Sequence, residues 1–293
     1  MKSYITDKPL KTISLEGCES IGRGAHGEVF RIAPDTAVKV YYPDITMDRI
    51  ERELNYAKKA FVKGVPTAIS FDIVRVGDRY GAVFELLDGE SVRDYIHDDD
   101  EKTKEFIDKS IALIKKVHSI RMEPGELPSM KENTLIWLSD IKEDMEPDIY
   151  KKVYEYVSGI PDSLNLLHGD VNPGNFLMTG GELMLIDMDT LCTGDPIFEL
   201  ATLYVTYKQF PKINEMAVRI FGLTSEKSSK MWDSMIRLYT GYTDEAELLE
   251  VESKAQLLGC IRVIDYMRRH PELEDQQEAI RICMEDIEMI ACG

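Results

Sequence analysis

Apolar positions follow two different periods along this chain. In the first part they come in short β-branched and aromatic runs. Glu28-Val29-Phe30-Arg31-Ile32 and Thr36-Ala37-Val38-Lys39-Val40-Tyr41-Tyr42 flank the turn Ala33-Pro34-Asp35. Residues Ala68–Val76 and Tyr80–Leu87 flank Gly77-Asp78-Arg79. Each pair predicts an antiparallel hairpin. Between the pairs, Met47, Ile50, Leu54, Ala57 and Phe61 recur at three- and four-residue steps, which predicts one helix over Met47–Lys63. Beyond residue 88 the helical period takes over. A helix begins near Ser91-Val92-Arg93-Asp94-Tyr95, and Phe106–Ile120 places Ile107, Ile111, Ile114 and Val117 on one face. Residues Arg121–Ser163 are rich in acidic and aromatic side chains with two Pro-marked turns; the segment is too long for a plain loop and should hold helices of its own. The pattern predicts an α+β protein of two lobes: residues 1–88 as an antiparallel β-sheet with one helix, and residues 89–293 as a mainly helical lobe.

Composition keeps this reading and narrows it. The 293 residues suffice for a substantial core, and an apolar fraction of 44% excludes wholesale disorder. Five scattered cysteines, Cys18, Cys192, Cys260, Cys283 and Cys292, form no C-x-x-C pair, so reduced thiols in a cytoplasmic protein are expected. The polar start at Met1-Lys2-Ser3-Tyr4 is unlike a secretory signal, and no apolar run is long enough for a bilayer. Net charge is −18, and it is unevenly spread. Residues 1–88 carry 13 Lys+Arg against 13 Asp+Glu, and the remainder 22 against 40. An acidic second lobe disfavours nucleic acid or an anionic membrane as partner and favours a cationic small molecule. Acidity that serves solubility gives the same split, so both readings stand.

The candidate chemistry lies in Leu167-His168-Gly169-Asp170-Val171-Asn172-Pro173-Gly174-Asn175-Phe176-Leu177 and in Leu185-Ile186-Asp187-Met188-Asp189. Phosphoryl transfer from ATP needs a carboxylate to orient the attacking hydroxyl and oxygen ligands to hold magnesium on the phosphates. Asp170 suits the first task. Asn175 and Asp187 suit the second, because magnesium prefers hard oxygen donors. Upstream, Gly22, Gly24 and Gly27 give the G-x-G-x-x-G spacing, which a dinucleotide-binding turn also uses. A dinucleotide turn opens a helix, whereas a strand follows here, so a hairpin folded over phosphates is expected. Lys39, alternating with Val38 and Val40, should leave their face of the sheet and needs a carboxylate to hold it. The helix offers Glu51 and Glu53. His26, near the loop tip, could touch a phosphate, although a solvent-exposed loop residue is the expectation. Three features point away from a protein kinase: Gly169 replaces the Arg of H-R-D, only seven residues (188–194) separate Asp187 from Asp195, and no A-P-E motif follows.

These motifs, with Gly194-Asp195-Pro196-Ile197-Phe198-Glu199-Leu200-Ala201, resemble the aminoglycoside phosphotransferase and choline kinase family, which shares the protein-kinase-like fold. The resemblance spans nearly the whole chain. It implies an ATP- and Mg2+-dependent kinase, an aminoglycoside phosphotransferase-like enzyme moving the γ-phosphate to a hydroxyl of a small molecule such as an amino sugar or amino alcohol. It implies Glu53 as the partner of Lys39, Glu85 and Leu87 as backbone contacts for adenine, and His168 and Asp195 as structural residues. Glu199 stands where the family commonly has Asp, which leaves the anchoring of the catalytic loop open. By the same resemblance the 121–163 segment covers the acceptor, where Asp140, Glu143, Asp144 and Glu146 could meet a cation, although a solvated helix face explains any one of them. Asp189 either approaches the metal or caps a turn. The alternatives are a Ser/Thr protein kinase-like enzyme and a nucleotide-binding pseudokinase.

Overall fold

The computed structural model describes residues 9–24, 26–97 and 99–292. The chain divides into two compact units. One comprises the described residues through Ser91 together with Asn175–Thr190, and the other comprises Val92–Gly174 with the described residues from Leu191.

The first unit is built on a five-stranded antiparallel sheet, β1 (Glu19–Gly24), β2 (Gly27–Ala33), β3 (Thr36–Tyr41), β4 (Ser70–Val76) and β5 (Arg79–Glu85), in the order β1-β2-β3-β5-β4. Alternation along β3 sorts its side chains between the faces. Val38 and Val40 pack with Val74 and Val76 on one side. Tyr41, with Ala82 of β5, meets Ile50 and Leu54 of the helix α1 (Met47–Val62) on the other. Thr46 caps α1 by accepting the Arg49 amide at 3.4 Å. Its buried face is Ile50, Glu53, Leu54, Ala57 and Ala60. Phe61, expected on that face, is exposed, and in the last turn the buried face passes through Ala60 instead. A short strand β6 (Glu90–Ser91) pairs with a later hairpin, β8 (Phe176–Thr179) and β9 (Glu182–Leu185), and Leu185 is tied back by its amide to Pro66 O at 2.8 Å. Residues 175–190 thus return to this unit, a re-entry that no local pattern announces.

The second unit is mainly helical. It contains α2 (Val92–Tyr95), α3 (Asp100–His118), α4 (Met130–Asp140), α5 (Pro147–Gly159), α6 (Ile197–Tyr204), α7 (Met216–Phe221), α8 (Ser225–Thr240), α9 (Glu245–Arg269) and α10 (Gln276–Cys292). A two-stranded ladder, β7 (Leu166–Leu167) with β10 (Cys192–Thr193), brackets the loop that follows His168. The apolar stripe foreseen over Phe106–Ile120 is there, but α3 starts six residues earlier; its polar first turn is held by Asp99, which accepts the Lys102 amide at 2.9 Å. The 121–163 segment does contain its own helices, α4 and α5. They share a core with α6, α9 and α10 centred on Leu138, Val157, Ile261, Ile264 and Ile287. Gly259 lets α9 approach α6 closely, since a Cβ there would stand 3.1 Å from Ala201 O and 2.8 Å from a Val205 methyl. The five cysteines are free thiols. No described helix is long and apolar enough to cross a membrane.

Candidate active site

In the first unit the glycine segment is a β-hairpin, not a helix opening, which removes the dinucleotide-turn alternative. Gly22 and Gly24 lie on β1, and Gly27 starts β2 opposite Tyr41. A Cβ on Gly27 would fall 2.4 Å from Val40 O, so only glycine fits that close strand approach. His26 is half-buried rather than exposed. Its Nε2 lies 2.6 Å from Arg49 Nη2, and Arg49 bonds Asp189 at 3.1 Å. Burial and the Arg49 guanidinium push the His26 pKa below its ordinary value. Asp189 thus has an ion-pair partner on α1.

Lys39 leaves the Val38/Val40 face, as alternation requires, and its ammonium donates to Glu53 at 2.8 Å and to Asp187 at 3.2 Å. Burial disfavours the charged lysine, but the carboxylates of Glu53 and Asp187 outweigh it and hold its pKa above the usual value. Glu53 is 4% exposed, and burial, reinforced by Asp187, lifts its carboxyl above the normal range. Glu51, the other candidate on α1, makes no bond to Lys39; two helical steps turn it to another face. Asp187 has φ of 62°, the left-handed region that a non-glycine residue occupies at a cost of about 1–3 kcal/mol and that clusters at functional sites. The Ile186 amide donates to Asn175 O at 3.0 Å, and Phe176 pairs with Leu185. This places Asn175 and Asp187 at the same open end of the β8–β9 hairpin. Carboxylate oxygens of Glu53, Asp187 and Asp189 lie within 4.8 Å of one another, a hard-oxygen set of the kind magnesium accepts. Glu85 ends β5, where its amide donates to Ile69 O at 2.8 Å and its carboxylate accepts the Ile69 amide at 3.1 Å. Leu87 lies two residues beyond the strand.

In the second unit the loop around Asp170 is held by a buried carboxylate. Glu199, on α6 and 1% exposed, accepts the amides of His168 at 2.7 Å and Gly169 at 3.0 Å, and His118 Nε2 lies at 3.5 Å. Burial alone would raise the Glu199 pKa, but His118 and the His168 amide overcome it and lower the pKa. The glutamate thus fills the anchoring role that the sequence left open. Asp195, two residues into the same motif, instead caps α6 through the Ile197 amide at 2.9 Å. His168 is buried, and its Nδ1 takes the Asp170 amide at 3.3 Å, a supporting contact and not an acid–base pair. Gly169 has φ of 83°, a conformation an arginine rarely adopts, which accounts for the departure from H-R-D. The Asp170 carboxylate is held from two directions: Asn172 Nδ2 donates to Oδ2 at 3.0 Å, and Arg262 Nη2 donates to Oδ1 at 3.0 Å.

Arg262 and Arg49 escaped the sequence reading. Arg262 carried a usable signal, since it interrupts the apolar run Leu257-Leu258-Gly259-Cys260-Ile261 and Val263-Ile264, where a charge needs a partner. Asp140, Glu143, Asp144 and Glu146 of the 121–163 segment are all exposed, and they are not all free. Asp144 is paired with Arg268, whose other nitrogen bonds Asp140 O at 2.9 Å. No described residue pairs with Glu143 or Glu146. Near the C-terminus, Glu245 pairs with Arg237 and Glu250 with Lys254, while Glu252 accepts the Trp232 indole at 2.9 Å. These are helix-surface and helix-to-helix links.

The phosphotransferase enzyme family matches residues 17–228, most of the chain. Among solved structures, ADP-bound aminoglycoside phosphotransferase APH(2'')-Ib is similar at 17% identity and a TM-score of 0.57, over 94% of this chain and 91% of that one. A choline/ethanolamine kinase family protein from Mesorhizobium loti is similar at 14% identity and 0.62, over 93% and 87%. A thermostable mutant of APH(4)-Ia, in ternary complex with AMP-PNP and hygromycin B, is similar at 10% and 0.64, over 94% and 93%. At these identities the structural likenesses show the fold, which is protein-kinase-like. No curated protein sequence matches the chain. The family match covers well over half of the sequence, and the chain belongs to the phosphotransferase enzyme family.

Proposed function

We propose that this phosphotransferase-family enzyme is an ATP- and magnesium-dependent kinase that transfers the γ-phosphoryl group to a hydroxyl of a small molecule. The observation that carries the reading is the Lys39 ammonium bonded at once to Glu53 and Asp187, with Asn175 at the same hairpin end as Asp187. A lysine fixed between two carboxylates presents a charge to the α/β-phosphates without drifting. The glycine hairpin offers backbone amides that can approach phosphate oxygens. Glu85 and Leu87 supply main-chain groups for adenine. Asn175 and Asp187 would hold magnesium, which neutralises charge on the phosphates when bound. Asp170 orients the acceptor hydroxyl and accepts its proton. The ADP complex of APH(2'')-Ib and the AMP-PNP complex of APH(4)-Ia support nucleotide use.

The acceptor we infer is a small cation, in keeping with the hygromycin B complex of APH(4)-Ia and with a residue 89–293 segment that carries the entire net charge. Of the four acidic residues singled out in the 121–163 segment, Asp140, Glu143 and Glu146 are the carboxylates left to attract it, since Arg268 reaches Asp140 only at its main-chain carbonyl. Asp144, already neutralised by Arg268, is not. A coupled ADP-release screen of hydroxylated amines and sugars, run beside an Asp170→Ala control, tests the reading. Turnover with at least one small hydroxylated compound, absent in the control, supports it. Mg-ATP binding without any turnover would mean a pseudokinase, and preferential phosphorylation of a protein would mean a protein kinase-like enzyme.

A further inference from the structure

Arg262 bonds two consecutive residues of the loop, Gly169 and Asp170, from a helix position 92 residues beyond Asp170. One guanidinium nitrogen donates to the Gly169 carbonyl and the other to Asp170 Oδ1 at 3.0 Å. The same guanidinium lies over the Trp137 ring of α4, 6.0 Å from its centre. A planar fork that engages a carbonyl and a carboxylate together, with an aromatic face behind it, allows little rotation. On the opposite side of the carboxylate, Asn172 takes Oδ2 and also the Asp170 carbonyl at 3.1 Å. The Asp170 carboxylate is thus clamped at both oxygens and its own peptide is pinned.

We infer that Arg262 is the positioning residue of Asp170, doing from α9 what the short loop cannot do for itself. The inference rests on the reading of Asp170 as the group that orients the acceptor hydroxyl. Its physical basis is the flexibility of the sequence around that residue. Gly169, immediately before Asp170, occupies the left-handed region and has no side chain to pack, so the loop has little of its own to fix the direction of the Asp170 side chain. Glu199 restrains only the amides of His168 and Gly169, leaving the side chain of Asp170 to be fixed by other groups. An arginine set in an apolar stretch of α9 is costly unless paired, and Asp170 is the pair. A charge partner at this point favours a carboxylate that orients a hydroxyl over one that rotates freely, and in phosphoryl transfer orientation is the larger share of the protein's contribution.

The test is steady-state ADP release from Mg-ATP by the full-length chain, with water or any acceptor found in the screen, for Arg262→Ala, Arg262→Lys, Asp170→Asn and the Arg262→Ala/Asp170→Asn double variant. Arg262→Ala should lower kcat by ~10²-fold, the scale on which a misplaced reacting group acts, while KM for ATP changes less than about twofold. Arg262→Lys should recover part of the loss, since an ammonium can reach one oxygen but cannot make the fork. Added guanidinium ion should restore part of the Arg262→Ala rate, a response that a purely structural loss does not give. The double variant should be no slower than Asp170→Asn, because with the carboxylate gone Arg262 has nothing to position. Thermal unfolding of each variant separates misfolding from misplacement, and Arg262→Lys serves if the alanine variant does not fold. Full activity in Arg262→Ala beside loss in Asp170→Asn overturns this inference alone. So does an effect confined to KM, or a double variant slower than Asp170→Asn by the whole Arg262→Ala factor. Full activity in Asp170→Asn, or no ADP release by the unmodified protein, overturns the reading of Asp170 and the inference with it.

Discussion

Lys39 and Asp187 stand 148 residues apart in the chain and 3.2 Å apart in the fold. Glu53 completes the contact at 2.8 Å from the other side of the ammonium. A lysine on β3, a glutamate on α1 and an aspartate after β9 therefore form one charged unit, in which the net charge of two carboxylates and one ammonium is negative. The divalent cation proposed at Asp187 would relieve that imbalance.

Asp187→Ala should abolish magnesium-dependent turnover, and Asn175→Ala should weaken it less, since it removes one neutral ligand and no charge. Lys39→Ala should act mainly through productive placement of ATP. Calorimetric titration of Mg-ATP beside ADP-release kinetics checks this. Unchanged affinity and turnover in Asp187→Ala would remove the metal assignment.

Asp170→Asn should leave Mg-ATP affinity within a few-fold of the unmodified protein and cut turnover by ~10²–10⁴, the range for general acid–base and positioning groups. If ATP binding is lost instead, Asp170 is structural or a metal ligand.

Glu199→Ala should destabilise the second unit, because two buried amides, those of His168 and Gly169, lose their acceptor. Each buried group left unsatisfied costs about 1–3 kcal/mol. The Glu199 pKa is depressed in the folded protein, so its contribution is fully present above the ordinary value of 4.5 and is lost as pH falls through the lower folded value. Denaturant unfolding of the unmodified protein and Glu199→Gln should differ most near neutrality, and the gap should shrink below pH 4.5. A gap that stays constant into acid would show that Glu199 acts by shape alone.

For the acceptor, KM should rise with salt more steeply than KM for ATP, because attraction between exposed charges is screened over ~8 Å at physiological ionic strength. Glu143→Gln and Glu146→Gln should raise the acceptor KM. Asp144→Asn should act chiefly on stability, through loss of its pair with Arg268. Salt-independent KM for a neutral acceptor would overturn the reading of the charge split.

Local pattern carried much of this protein. Val38 and Val40 flanking Lys39 determined which way the lysine points, because a strand alternates with period two whatever surrounds it. The apolar spacing of α1 determined its helix, and the choice of Glu53 over Glu51 agrees with the side of that helix that turns to Lys39. The residue types at 170, 175 and 187 were legible as candidate chemistry because magnesium and phosphate constrain donor type. Local pattern was silent wherever the answer lay with a partner distant in sequence. It could not show that residues 175–190 rejoin the first unit, that Glu199 grips the loop in place of an aspartate, or that His26 is tied to Arg49. Nor could it separate Asp144, cancelled by Arg268, from Glu143, which is not. Arg262 marks the boundary: its place among apolar residues of α9 says that it must have a partner, and only the packing of that helix says that the partner is Asp170. Periodicity is a property of neighbours along the chain, whereas a buried charge is satisfied by whatever group the tertiary fold brings within hydrogen-bonding distance.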